Sequence, residues 1–152
     1  MPKLANLYAQ MPLVQPFIDY SHGVEALGLE PGLQELVKIR ASQINGCAQC
    51  LVLHTQEARR QGETEMRLYL LNGWREAPHF TGRERAALAW TEALTILDHH
   101  RSGEAYEQLA AEFTEPEQVA LTLLIGVINT WNRINVGFRV SPPRSAQIAV
   151  AA

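Results

Sequence analysis

The chain has 152 residues, of which 47% are hydrophobic and 19% charged. That is enough to bury one sizeable core and suits a single domain. The formal net charge of -3 excludes a generic grip on nucleic acid, which needs a basic face, and no run of like charges reads as an acidic or basic tail.

The N-terminal MPKLANLYAQMPLVQPF lacks a basic segment followed by a long apolar run, so it is a poor secretory signal and points to a cytoplasmic protein. PLVQPFIDYSHGVEALG predicts a helix disturbed at Pro16. EPGLQELVKIRASQI predicts the next, with Pro31 in its first turn, where a missing N–H costs little. Leu33, Leu36, Val37 and Ile44 give it an apolar stripe, and Asn45-Gly46 ends it. CAQCLVLHTQEARRQG predicts a helix closed by Gly62, and ETEMRLYLLNG a shorter one closed by Gly73.

After the linker WREAPHF, Thr81 and Glu84 form a capping box that opens RERAALAWTEALTIL. His99 and His100 are expected in a surface loop at the end of that helix, where its dipole favours them. Ser102 is the expected cap of SGEAYEQLAAEF. Thr114 and Glu117 form a second box and open a long helix over residues 115–138. No stretch alternates with the period of a strand. The fold class is therefore all-α: a single helical domain over 1–140, followed by an irregular tail over 141–152.

Within the long helix, VALTLLIGVI gives way at once to polar NTWNR. A membrane span needs about 20 apolar residues, so the run reads as a buried core helix and the chain as having no membrane partner. Val119, Leu121, Leu123, Leu124, Ile125, Val127 and Ile128 leave little of its first half polar. A helix apolar on nearly all sides must be covered on all sides, and a subunit interface would do it, which predicts a homo-oligomer.

The chemistry-bearing stretch is NGCAQCLVLH, which holds the only two cysteines, Cys47 and Cys50, and ends at His54. A CxxC in a cytosolic chain is more often catalytic or metal-binding than a structural staple. With Cys47 in the first turn of its helix, Cys47, Cys50 and His54 fall on one stripe, and Cys50 and His54, an i, i+4 pair, can touch. A helix N-terminus lowers thiol pKa values and so favours the nucleophilic thiolate. Helical i, i+3 spacing is wider than a disulfide prefers, so the bond would need local adjustment, and some strain would leave it readily reducible. If Asn45-Gly46 folds two helices into an antiparallel hairpin, positions equidistant from the break face each other, and Glu35 comes alongside His54. A carboxylate beside an imidazole raises its proton affinity and fixes its tautomer. The result is an orienter, a base and a nucleophile in series. The dipole favours Cys47 as the more acidic thiol and the histidine contact favours Cys50, so these residues alone leave the nucleophile open.

Glu35, Cys47, Cys50 and His54 together fit the pattern E-x11-C-x-x-C-x3-H. In this the chain resembles the AhpD-like alkyl hydroperoxidases of the carboxymuconolactone decarboxylase superfamily. INTWNRINVGFR, residues 128–139, is also similar to a segment common there, and the resemblance covers residues 30–140. It implies a helical bundle built around the hairpin and assembled into trimers or hexamers. It implies a thiol peroxidase acting on hydrogen peroxide or alkyl hydroperoxides, in which Cys50 attacks the peroxide and becomes a sulfenic acid and Cys47 condenses with it to a disulfide. Glu35 and His54 would relay the proton away from Cys50. No bound cofactor and no metal are implied, and the electrons would come from an external dithiol, carried by a lipoyl-bearing partner protein. Gln49 stands where the best-known members carry a histidine, and an amide cannot carry a proton near neutral pH.

Rival readings stay open. The cysteines could be two small hydrophobes in a non-enzymatic helical oligomeric module. A disulfide reductase or thiol sensor would use the same dithiol. Zinc could take Cys47, Cys50, His54 and Glu35, although structural zinc sites usually bring a second ligand pair from a separate segment. Covalent haem needs a histidine where Leu51 stands, and a thioredoxin fold needs strands. Loss of carbon dioxide has no use for a redox dithiol. His22 and His79 have no partner pattern. Tyr69, Trp90, Trp131 and Phe138 read as core or interface. Asn129, Asn132 and Arg133 lie on one side of the long helix, where they would cap other helices or line an interface; a peroxide-binding role is the weaker reading.

Overall fold

The computed structural model describes residues 5–143. A 3-10 turn, Leu7–Gln10, leads into α1 (Met11–Glu25), followed by α2 (Pro31–Asn45), α3 (Ala48–Arg60) and the short α4 (Glu65–Leu70). A second 3-10 turn, Leu71–Gly73, precedes α5 (Gly82–Ile96), α6 (His99–Glu112) and α7 (Glu115–Gly137). No strand occurs among the described residues, and the all-α expectation holds. Residues 141–143 carry no regular structure; the rest of the predicted tail lies outside the described residues.

Local chemistry sets most of the boundaries. Both capping boxes form, with Thr81 and Glu84 opening α5 and Thr114 and Glu117 opening α7. α1 runs unbroken through Pro16, which lies in its second turn. The start of α6 differs from the sequence expectation. Asp98, not Ser102, caps α6, its carboxylate accepting from the His100 and Arg101 amides. His99 and His100 thus open a helix rather than trail one, because Leu97 takes a left-handed conformation (φ 57°) and stops α5 sooner than the expected loop.

α2 is the central helix, packed against α3, α5 and α7. Leu36, Val37, Ile39 and Ala41 are all buried, and so are the polar Gln34, Glu35, Lys38 and Ser42. On α7, Leu121, Leu124, Ile125, Val127 and Ile128 are buried within this one chain, while Val119 and Leu123 stay exposed. Within this one chain the helix is therefore only partly covered. The more thoroughly buried one is α2, whose polar residues are covered because each finds a hydrogen-bond partner. Among the described residues α7 is also the one helix long and apolar enough to cross a membrane, as a partly buried core helix can be. Of the aromatic residues expected in a core or interface, Trp90 and Trp131 pack on the core, whereas Tyr69 and Phe138 are exposed.

The turn between α2 and α3 makes the hairpin. Gly46 sits at φ 66°, a left-handed C-cap, and Cys47 N–H donates to Ser42 O at 3.0 Å. A β-carbon at Gly46 would meet nothing within 4 Å, so only the backbone opposes substitution. Gly46→Ala is expected to destabilise the fold by about 1–2 kcal/mol, read as a lower urea midpoint at unchanged slope.

Candidate active site

Cys47 is the N-cap of α3, with extended backbone (φ -85°, ψ 92°), rather than a residue of its first turn. The difference follows from Gly46, which turns the chain so sharply that the next residue cannot yet be helical. Cys47 and Cys50 are joined as a disulfide with their Cα atoms 5.4 Å apart, inside the ordinary range. The local adjustment expected for helical i, i+3 spacing is found in Cys47, which stands outside the helix. Its Sγ also accepts the Cys50 N–H at 3.3 Å, which is the usual place of a capping oxygen.

The hairpin brings Glu35 to His54. His54 Nδ1 lies 2.9 Å from Glu35 Oε2, and Glu35 is 3% exposed, so this carboxylate does not face bulk water. Two residues that the sequence reading did not single out extend the chain of contacts. Lys38 Nζ, also buried, lies 2.8 Å from Glu35 Oε1 and 2.5 Å from Glu25 Oε1 on α1. Burial pushes the Glu35 carboxyl up, but the His54 contact and the Lys38 charge outweigh it and hold it below the usual carboxylate range. Burial likewise pulls Lys38 down, and the Glu35 and Glu25 carboxylates more than reverse this. Both groups are ionised. An ionised carboxylate only accepts, so Nδ1 of His54 carries the proton and donates, which leaves the Nε2 lone pair as a base when the ring is neutral.

α7 supplies the other side of the site. Asn45 Nδ2 at the end of α2 donates to Asn129 Oδ1 and Asn132 Oδ1, at 2.9 and 2.8 Å. Asn132 Nδ2 donates to Ser42 Oγ and Asn129 Nδ2 to Thr95 Oγ1, both at 3.0 Å. Arg133 donates to Asn129. Asn129 and Asn132 thus tie α2 and α5 to α7, while Arg133 bonds back to its own helix. Asn135, one turn on, donates from Nδ2 to Cys50 Sγ at 3.3 Å. Its signal was in the sequence: Asn129, Asn132 and Asn135 stand three apart on one helix.

Cys50, not Cys47, lines a cavity of about 400 Å³. Its walls are largely apolar, from α1, α3 and α7, with Trp131 docked on α1 through Phe17 at 5.0 Å between ring centres and through Ser21 Oγ at 3.0 Å. His22 lines this cavity too. A second, more polar cavity of about 430 Å³ lies on the Glu35 side, and His54 borders both. Among the described residues no group of three or more His, Cys, Asp or Glu is arranged to hold a metal ion. The site can therefore make and break a disulfide beside a positioned base, next to an apolar chamber.

The model of the carboxymuconolactone decarboxylase family matches residues 12–93, from α1 into α5, a stretch that contains Glu35, Cys47, Cys50 and His54. The uncharacterized protein YdfG of Bacillus subtilis (strain 168) is 43% identical over 104 residues, 68% of this chain and 71% of YdfG. The crystal structure of a protein of unknown function from Agrobacterium tumefaciens, suggested to be the antioxidant defence protein AhpD, is 40% identical. It superposes with a TM-score of 0.87 over 93% of this chain and 99% of that one. The debrominase Bmp8 in complex with 2,3,4-tribromopyrrole, at 19% identity, is alike in fold alone, with a TM-score of 0.79 over 92% of this chain and 75% of that one. With more than half of its length matched and the AhpD-like bundle reproduced, the chain belongs to the carboxymuconolactone decarboxylase family.

Proposed function

We propose that the protein is a thiol-dependent peroxidase of the AhpD type. In the reduced state His54 takes the Cys50 proton, and the Asn135 amide favours the thiolate. Cys50 sulfur then attacks the terminal peroxide oxygen: an S–O bond forms, the O–O bond breaks, and the leaving alkoxide or hydroxide receives the proton from His54. Cys47 sulfur displaces hydroxide from the sulfenic acid, giving water and the Cys47–Cys50 disulfide. An external dithiol supplies the two electrons that reopen it; a lipoyl-bearing protein is the proposed carrier, in a cytoplasmic setting where such reductants are kept reduced. The exposed Val119 and Leu123 on α7 support assembly into a homo-oligomer.

The observation that carries this reading is a bonded cysteine pair one helical turn from a histidine that a buried, ionised carboxylate orients. The family takes in enzymes, but its name does not fix the reaction. Gln49, beside Cys50 and unable to move a proton, favours a second reading as a disulfide reductase or thiol sensor with little turnover of peroxide. The test is peroxide consumption with a panel of dithiol donors, dihydrolipoamide included. The wild type is expected to close one dithiol per stoichiometric peroxide and to turn over; Cys50→Ser is expected to lose all consumption. Closure without turnover would select the sensor reading, and cysteines that stay reduced would leave only a packing role.

A further inference from the structure

A third cavity, of about 600 Å³, lies between α5 and α6 and shares no lining residue with the two cavities at His54. Its size falls in the range of pockets that enclose organic ligands. Ala89 and Ala93 of α5 and Ala105 of α6 line it with single methyl groups, which leaves the two helices room for a guest. Its charges do not balance. Arg75 and Arg85 both line it, and their guanidinium groups lie 4.3 and 5.9 Å from the centre of the Trp74 ring. Glu92 is the buried carboxylate here, and it is already shared. Trp74 Nε1 and Arg40 Nε donate to its Oε1 at 2.8 and 2.9 Å, and Arg75 donates to its Oε2. Burial pushes the Glu92 carboxyl up, but these donors outweigh it and hold it below the usual carboxylate range, so it is ionised. Arg85 meets no carboxylate among the described residues. It donates to the Phe80, Arg75 and Ala77 carbonyls, which satisfy its hydrogen bonds without neutralising its charge. Arg40, Arg75 and Arg85 thus stand against Glu92 alone. Arg101 is paired with Asp98 and adds nothing to the surplus. Arg75 gives one N–H to Glu92, and its side chain is 53% exposed, so the rest of its fork is open.

We propose that the α5–α6 cavity is a binding site for a small organic anion, its carboxylate or phosphate oxygens held by Arg75 and Arg85 and its body resting on the alanines. A planar guanidinium fork matches either oxyanion. The guest offsets the positive charge that Glu92 leaves uncompensated. Glu104, on the α6 side and bonded only by Gln108, repels the anionic end and so orients it toward Arg75 and Arg85. The site is separate from the dithiol chemistry and stands whether or not the protein consumes peroxide. Through Glu92 and Arg40 it touches α2, the helix that carries Glu35.

Binding is measured on the full chain by calorimetry at low ionic strength, with three probes that share a ring. Benzoate carries a carboxylate, phenyl phosphate a phosphate, and benzyl alcohol no charge. The wild type is expected to bind at least one of the anions saturably, roughly tenfold more tightly than the alcohol, and to lose that margin as salt is added. The tighter of the two anions identifies the oxyanion that the site takes. Arg75→Gln is expected to weaken that anion about tenfold. Its fold should survive, because Glu92 keeps Arg40 and Trp74 as partners. Glu104→Gln is expected to tighten the same anion, since it removes a like charge. Far-UV circular dichroism checks that both variants are folded. A wild type that binds neither anion saturably, an alcohol that binds as tightly as the anions, or an unchanged affinity in folded Arg75→Gln would overturn the proposal.

Discussion

Replacing Lys38 with methionine is expected to destabilise the protein by about 3–5 kcal/mol at neutral pH, the usual cost of breaking a buried ion pair by removing one partner. Methionine nearly keeps the volume, so the loss is electrostatic. The Lys38 side chain is 7% exposed and that of Glu35 5%, whereas Glu25 is 39% exposed and can rehydrate. Glu35 is thus left as a buried anion with His54 as its one remaining partner. The pH dependence gives the sharper test. In the wild type, the folded-state pKa of Glu35 lies below the unfolded one. Its contribution is present above the unfolded carboxyl pKa and is lost as pH falls through the lowered value. The raised Lys38 pKa contributes below the unfolded lysine value and is lost only in strong alkali. In the variant, burial acts on Glu35 without the lysine to oppose it, so protonation relieves rather than destabilises. The deficit should be largest near pH 7.5 and should shrink toward pH 4. Urea midpoints at the two pH values measure it, and an equal deficit at both would remove Lys38 from the electrostatics of the site.

Much of this site could be read from residues alone, and the parts that could not share one cause. Pro31, Gly46 and the two T-x-x-E boxes are local signals, and the helices they delimit form where expected. The Glu35–His54 contact was legible because an antiparallel hairpin pairs positions by their distance from the turn. Lys38 was not, because a lone lysine on a helix normally reaches water. It is buried here only because α1, distant in sequence, lays Glu25 over it. Asn135 stood in a visible ladder with Asn129 and Asn132, but that its donor meets Cys50 depends on how α7 crosses the hairpin. Cys47 shows the local failure. Cysteine is not a usual N-cap residue, so nothing marked it as lying outside the helix. The chamber is the most collective feature, since its walls come from three helices far apart in the chain. The apolar content of α7 was legible; that its exposed large apolar residues would come down to Val119, Leu123 and Val136 was not.

Replacing His54 with alanine is expected to slow oxidation of the reduced enzyme by roughly 10²–10⁴-fold at pH 7, the usual worth of a positioned general base. The fold should survive, because Glu35 keeps Lys38 as its partner. An ionised Glu35 holds the proton on Nδ1 of His54, so the other ring nitrogen is the one able to accept from the thiol. Without the ring, Cys50 must ionise with only the Asn135 amide and the start of α3 to help it. The rate should therefore recover as pH rises toward the unperturbed thiol pKa of about 8.5, which moves the whole profile to alkaline pH. Glu35→Gln should shift the profile the same way but less, since glutamine still bonds the ring without fixing its charge. The double variant, where folded, should be no slower than His54→Ala alone, because the carboxylate reaches the thiol chemistry only through the imidazole. Single-turnover oxidation followed across pH reads all three variants. A residue that merely filled space would lower stability and leave the profile where it was, and that result would remove His54 from the chemistry.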